Sequence, residues 1–200
     1  MSLNVSDEKS IRAFLAVDPP QEVLNEVGRI QDRFKKTIQG DIRWVRLEGI
    51  HLTLKFFGYV SEADIANISR VVKNNIAHVK PFTLNVRRVG VFPSVNRARV
   101  LWLGMDGDVD TLIDLQKKID KGLQEYGFEM ENRPFSPHVT LARIKEPKGL
   151  IGLAKIIGKS EEYAAGSFSV CGLNLFRSTL TPKGAIYTKL AHFPVAEWKV

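Results

Sequence analysis

The sequence predicts an α+β protein of two related lobes packed together with a cavity between them. Three observations predict it. Strand-like runs alternate with four helix-periodic segments along the chain. A four-residue unit occurs twice, as His51-Leu52-Thr53-Leu54 and His138-Val139-Thr140-Leu141, with its histidines 87 positions apart, the span of a small α+β lobe. No linker-like or low-complexity tract divides the two copies, so a single domain is expected over 11–200, after a polar, flexible lead-in at 1–10.

Each element follows from local pattern. Ile11 to Val17 is an apolar run that reads as a buried strand. Asp18-Pro19-Pro20 stops it and opens a helix, with Asp18 as the expected cap. Val23, Leu24, Val27, Ile30 and Phe34 then recur at helical spacing. Ile42 to Arg46 is a short strand, and Ile50 to Phe57 is the first motif strand, closed by Gly58. Ser61-Glu62-Ala63-Asp64 starts a second helix in capping-box style. Phe82 to Val89 and Arg99 to Leu103 form a hairpin around a turn-rich connection of Gly90, Pro93, Ser94 and Asn96. A third helix runs from Asp108 to Tyr126 and stops at Gly127. The second motif strand is His138 to Ile144, a short helix follows over Leu150 to Ile157, and Ser167 to Phe176 and Ala185 to Ala191 are the last strands.

Composition is that of an ordinary globular chain, 44% apolar and 26% charged. No apolar run approaches the ~20 residues of a membrane-spanning helix, and the polar start does not read as a signal peptide. Cys171, the single cysteine, allows no internal disulfide and reads as a small buried hydrophobe in a strand; a cytoplasmic protein is expected. The net charge of +7 is concentrated. Between Asp64 and Asp106 lie seven bases and no acid, leaving 22 bases against 22 acids elsewhere. Four of the seven, Arg87, Arg88, Arg97 and Arg99, sit on the hairpin, which is therefore the expected polyanion path.

The repeat carries the chemistry. Alternation along a strand puts His51 and Thr53 on one face, and His138 and Thr140 likewise, while Leu52, Leu54, Val139 and Leu141 face a core. Adjacent strands would then hold two imidazoles and two hydroxyls around one cavity. Histidine changes charge near pH 6.5, so one ring can act as base and the other as acid on opposite sides of a phosphorus atom. The threonine hydroxyls can donate to non-bridging oxygens. The repeat is symmetric and does not itself say which histidine is the acid. Two of the four histidines lie in the repeat; the others, His78 near a helix end and His192 near the terminus, have no partner motif.

Further segments resemble a known family. Arg12-Ala13-Phe14-Leu15-Ala16-Val17-Asp18, Arg43-Trp44-Val45, His51 to Gly58, Arg99 to Gly104, Pro137 to Arg143, Leu175-Phe176-Arg177-Ser178 and Gly184 to Tyr187 are similar to the two-histidine phosphoesterases. The branch they resemble is that of the RNA 2′,3′-cyclic phosphodiesterases, also called 2′-5′ RNA ligases. The resemblance implies antiparallel sheets lining a central groove, with helices outside. It implies hydrolysis of RNA 2′,3′-cyclic phosphate ends to 2′-phosphates without metal or cofactor, and the reverse 2′-5′ joining reaction. It assigns His51 as proton donor and His138 as proton acceptor. The implied partner is RNA with a cyclic phosphate end, and a monomer with no membrane attachment is expected. The family pattern gives Arg143 a phosphate role, whereas strict strand alternation points it away from His138. Lys55 and Phe57 share the parity of His51 and are expected to line the groove, with a core position open for Phe57. Arg97 and Arg99 are expected to contact substrate. Tyr187 and Phe14 are candidate base-stacking aromatics, with ordinary burial the competing role for Phe14. A phosphodiesterase acting on a small cyclic nucleotide, a non-catalytic RNA-binding module and a metal site are the competing readings. Two histidines without an accompanying Asp, Glu or Cys set make a poor zinc site.

Overall fold

The computed structural model describes residues 10–182 and 184–196, so the expected lead-in lies almost wholly outside the described residues. Strand β1 (Ile11–Val17) lies inside the sheet and is apolar and buried along its length except at Arg12. It pairs antiparallel with β3 (Leu52–Val60) on one side and β8 (Gly172–Thr181) on the other, and β9 (Gly184–Pro194) flanks β8. The second set is β6 (His138–Ile144), β5 (Val100–Gly107), β4 (Phe82–Phe92) and β7 (Ala164–Val170), with the short β2 (Ile42–Trp44) also on β6. The sets meet where β3 pairs with β6, which makes a sheet ordered β7-β4-β5-β6-β3-β1-β8-β9. The lobes are therefore not simply the two halves of the chain, since β8 and β9 return to β1.

The apolar run read as one strand, Ser167 to Phe176, is two. It breaks at Cys171 between β7, one edge strand of the sheet, and β8, which lies one strand in from the other edge. One residue cannot cross an open sheet whose strands lie ~5 Å apart. The sheet must curl until its margins meet. Cys171 sits at that corner and is exposed, not buried as expected; an apolar run carries no mark of a corner within it.

Among the described residues four helices cover one face: α1 (Gln21–Thr37), α2 (Glu62–Ile76), α3 (Val109–Gln124) and the short α4 (Leu153–Ile157). Their apolar stripes share one core with Leu52, Leu54, Val139 and Leu141, the inward residues of both motif units, as alternation predicts. The α2 capping box is present: Asp64 N donates to Ser61 Oγ at 3.1 Å and Ser61 N to Asp64 Oδ2 at 2.9 Å. Asp18 does not cap α1. The cap residue is Pro20, and Asp18 instead accepts from Asn174 at 3.0 Å and pairs with Lys189 at 3.3 Å. The helix starts at Gln21, which leaves the Asp18 side chain short of its free amides. Among the described residues no helix is long and apolar enough to cross a membrane.

Candidate active site

β3 and β6 run antiparallel, and their one registered pair is Leu52↔Val139. Antiparallel geometry then sets His51 beside Thr140 and Thr53 beside His138. All four polar side chains share the face away from the helices, and the leucines and valine between them are in the core. The repeat thus closes into one approximately symmetric group.

Each motif is followed by a β-bulge at its fourth residue. In β3, Thr53 pairs with Ala16 but Lys55 with Leu15, leaving Leu54 extra; in β6, Thr140 pairs with Trp102 but Ala142 with Leu101, leaving Leu141 extra. A bulge reverses the alternation beyond it. Arg143 is thereby returned to the histidine face, against strict parity, and its charge bears on both histidines. Lys55 is turned the other way. It is buried at 6% exposure, ion-paired with Asp120 and bonded to the Glu129 carbonyl at 2.8 Å, so it does not line the groove. Phe57 is also not beside His51 and packs on Phe128 with centroids 5.6 Å apart. Phe56 takes the groove position instead, 5.7 Å from Phe14, and is the counterpart of Arg143 in the first motif. The Leu141 bulge is held by Val45 N and by the buried Gln31 amide, both donating to the Leu141 carbonyl at 2.9 Å.

The imidazoles sit among aromatic rings. His51 stacks on Phe14 at 4.5 Å and meets the edge of Tyr187 at 5.0 Å. His138 contacts Phe92 at 5.1 Å and Trp102 at 6.1 Å. Room for the Trp102 indole exists because residue 90 is glycine; a Cβ there would collide with it. Phe14 is buried as expected of an ordinary core residue, yet its cluster with Ala16, Phe176 and Tyr187 lies on the histidine side of the sheet. Burial lowers the His51 pKa to about 4 and also lowers that of His138, and Arg143 lowers both further. Each ring also bonds a carbonyl two residues back, Gly49 for His51 and Ser136 for His138, where Nδ1 is 2.7 Å from the oxygen. That bond fixes the His138 proton on Nδ1 and leaves Nε2 as a bare acceptor.

The other expected contacts divide. Arg97 is exposed in the turn between β4 and β5, and Arg99 donates to the Lys145 carbonyl; both follow Phe92, which touches His138. Arg87 and Arg88 are not free for a polyanion, because both pair with Asp106 and Glu161. Asp106 ends the acid-free segment in sequence but lies across the β4–β5 ladder from it. His78 is exposed, and His192 bonds Asn174 at 2.7 Å. Three arginines escaped the sequence reading as site residues: Arg12, Arg43 and Arg46 line a cavity of about 840 Å³ with Arg143, Gly49 and Tyr187. Among the described residues no three His, Cys, Asp or Glu side chains gather in metal-binding reach.

The family model for LigT-like phosphoesterases matches the chain twice, over residues 17–102 and 103–187, one motif in each. An RNA 2′,3′-cyclic phosphodiesterase of Methanothermobacter thermautotrophicus is 39% identical over 183 residues, 92% of this chain and 98% of that protein. One from Methanocaldococcus jannaschii is 34% identical over 177 residues, 88% and 96% of the two. The crystal structure of TT0787 from Thermus thermophilus superposes with a TM-score of 0.75 at 28% identity, covering 92% of this chain and 98% of that one. Escherichia coli LigT in complex with 3′-AMP gives 0.74 at 26% identity, covering 94% and 100%.

Proposed function

Because this chain belongs to the LigT-like phosphoesterases of the two-histidine superfamily, we propose that it hydrolyses RNA 2′,3′-cyclic phosphate ends to 2′-phosphates. The observation that carries the reading is the pairing of two His-x-Thr units on adjacent strands, facing one side, with Arg143 beside both. In this reading His138 Nε2 takes a proton from water as its oxygen attacks phosphorus. The bond from phosphorus to the 3′ oxygen breaks, and His51 gives its proton to that oxygen. Thr53, Thr140 and Arg143 hold the non-bridging oxygens, where charge grows. Tyr187 and Phe56 offer ring faces for a base, with the buried Phe14 stacked behind His51, and Arg97 and Arg99 flank the strand on the His138 side. The reverse step joins a cyclic end to a 5′-hydroxyl, driven by the strained ring. A monomer acting in the cytoplasm completes the proposal.

The test is an oligoribonucleotide ending in a 2′,3′-cyclic phosphate, incubated with EDTA present. A 2′-phosphate product with undiminished rate is expected. A 3′-phosphate would reverse the leaving group, and activity lost to EDTA and restored by a divalent ion would point to metal chemistry.

The partly buried histidines also set the pH profile. The productive enzyme carries one proton on the pair, so kcat/KM peaks midway between the two pKa values, whichever ring is the acid. Both values lie below 6.5, so the kcat/KM optimum is expected below pH 6.5. A bound phosphate anion favours imidazolium, so the kcat profile should sit at higher pH than the kcat/KM profile. A kcat/KM optimum above pH 7 would contradict the burial of the pair.

A further inference from the structure

Arg43 and Arg143 are direct cross-strand partners on β2 and β6. Like charges placed opposite each other destabilise a sheet. Arg46 adds a third guanidinium: a Cβ on Gly184 would stand 3.1 Å from Arg43 Nη2 and 3.4 Å from Arg46 Nη2, so both side chains converge on that glycine. Its φ of +128° further favours glycine there. Arg12 lines the same cavity and is held by a 2.9 Å bond to the buried Ser178 hydroxyl. None of the four forms an ion pair among the described residues, although Glu48 also lines the cavity. Arginines so gathered lack only an anion with several oxygens.

We propose that Arg12, Arg43 and Arg46 form a second phosphate site, which binds the phosphate on the 5′ oxygen of the nucleotide that carries the cyclic end. The inference rests on the proposed cyclic phosphodiesterase reading. Arg143 serves the reacting phosphorus, and Arg43 lies one strand further along the same face, so the two anions belong to consecutive positions of one RNA strand. The substrate class is therefore a strand end, pN with a cyclic phosphate, and not a free nucleoside cyclic phosphate.

The test compares adenosine 2′,3′-cyclic phosphate with the same compound bearing a 5′-phosphate, on wild-type protein and on Arg43→Gln/Arg46→Gln. Wild type is expected to prefer the 5′-phosphorylated substrate by about tenfold or more in kcat/KM, mainly through KM, as befits charge-assisted hydrogen bonds. The variant should prefer it by about twofold or less. The readout is a ratio within one protein preparation, so loss of folded fraction cancels. No preference in wild type, or an equal preference in the variant, overturns the site. If neither compound is hydrolysed, the catalytic reading fails by itself. Affinity for 5′-AMP against adenosine then still decides the site: tighter 5′-AMP binding lost in the variant supports it, and equal affinities overturn it.

Discussion

Alanine at His51 or at His138 is expected to lower kcat by about 10²–10⁴-fold while the protein stays folded. Neither ring forms an ion pair among the described residues, and each packs against neighbouring aromatic rings, so its removal orphans a carbonyl bond but leaves no charged partner buried alone. Combining the two changes should cost little more than either alone, because acid and base act in one transition state. The assignment of roles has its own test in the leaving group. A 3′-thio substrate leaves as a thiolate of pKa about 8.5, which needs no proton. The penalty of His51→Ala should shrink on that substrate and the penalty of His138→Ala should not. The opposite pattern would exchange the roles, and full activity in either variant would end the two-histidine mechanism.

The parts of this site that were legible in the sequence are those set by local alternation. His51, Thr53, His138 and Thr140 share a face, and their apolar neighbours fill the core, because alternation holds within four residues of a strand. It fails beyond the fourth residue, past the bulges at Leu54 and Leu141, since a bulge depends on partner strands and, at Leu141, on the Gln31 amide, which the motif itself does not reveal. From that single cause strict alternation points Lys55 toward the groove, leaves Phe57 open between groove and core, and gives no sign of Phe56. Charge along the chain misleads for a related reason. The acid-free segment is basic along the chain, but Asp106 and Glu161 reach Arg87 and Arg88 in space. The basic cavity that does exist draws Arg12, Arg43, Arg46 and Arg143 from three separate strand regions, and no window of sequence contains it.

Lys55→Met is expected to destabilise the protein by about 3–5 kcal/mol, read as a lower urea midpoint with an unchanged slope. The Lys55 and Asp120 side chains are 6% and 5% exposed, so removing the ammonium leaves the Asp120 carboxylate buried with the Glu131 N–H, at 3.0 Å, as its remaining donor among the described residues. Removing both charges removes that penalty, and Lys55→Met/Asp120→Leu should recover most of the loss. The pair also ties β3 to the segment that precedes the second motif, because Lys55 holds the Glu129 carbonyl while Asp120 holds the Glu131 amide. The double variant loses these two ties even where it regains stability. Its kcat/KM per folded molecule should therefore stay below wild type, since His138 is reached from this segment through Pro134 and Pro137. A Lys55→Met protein as stable as wild type would mean that the ion pair contributes nothing net. Full activity in the stable double variant would show that it holds the fold without positioning His138.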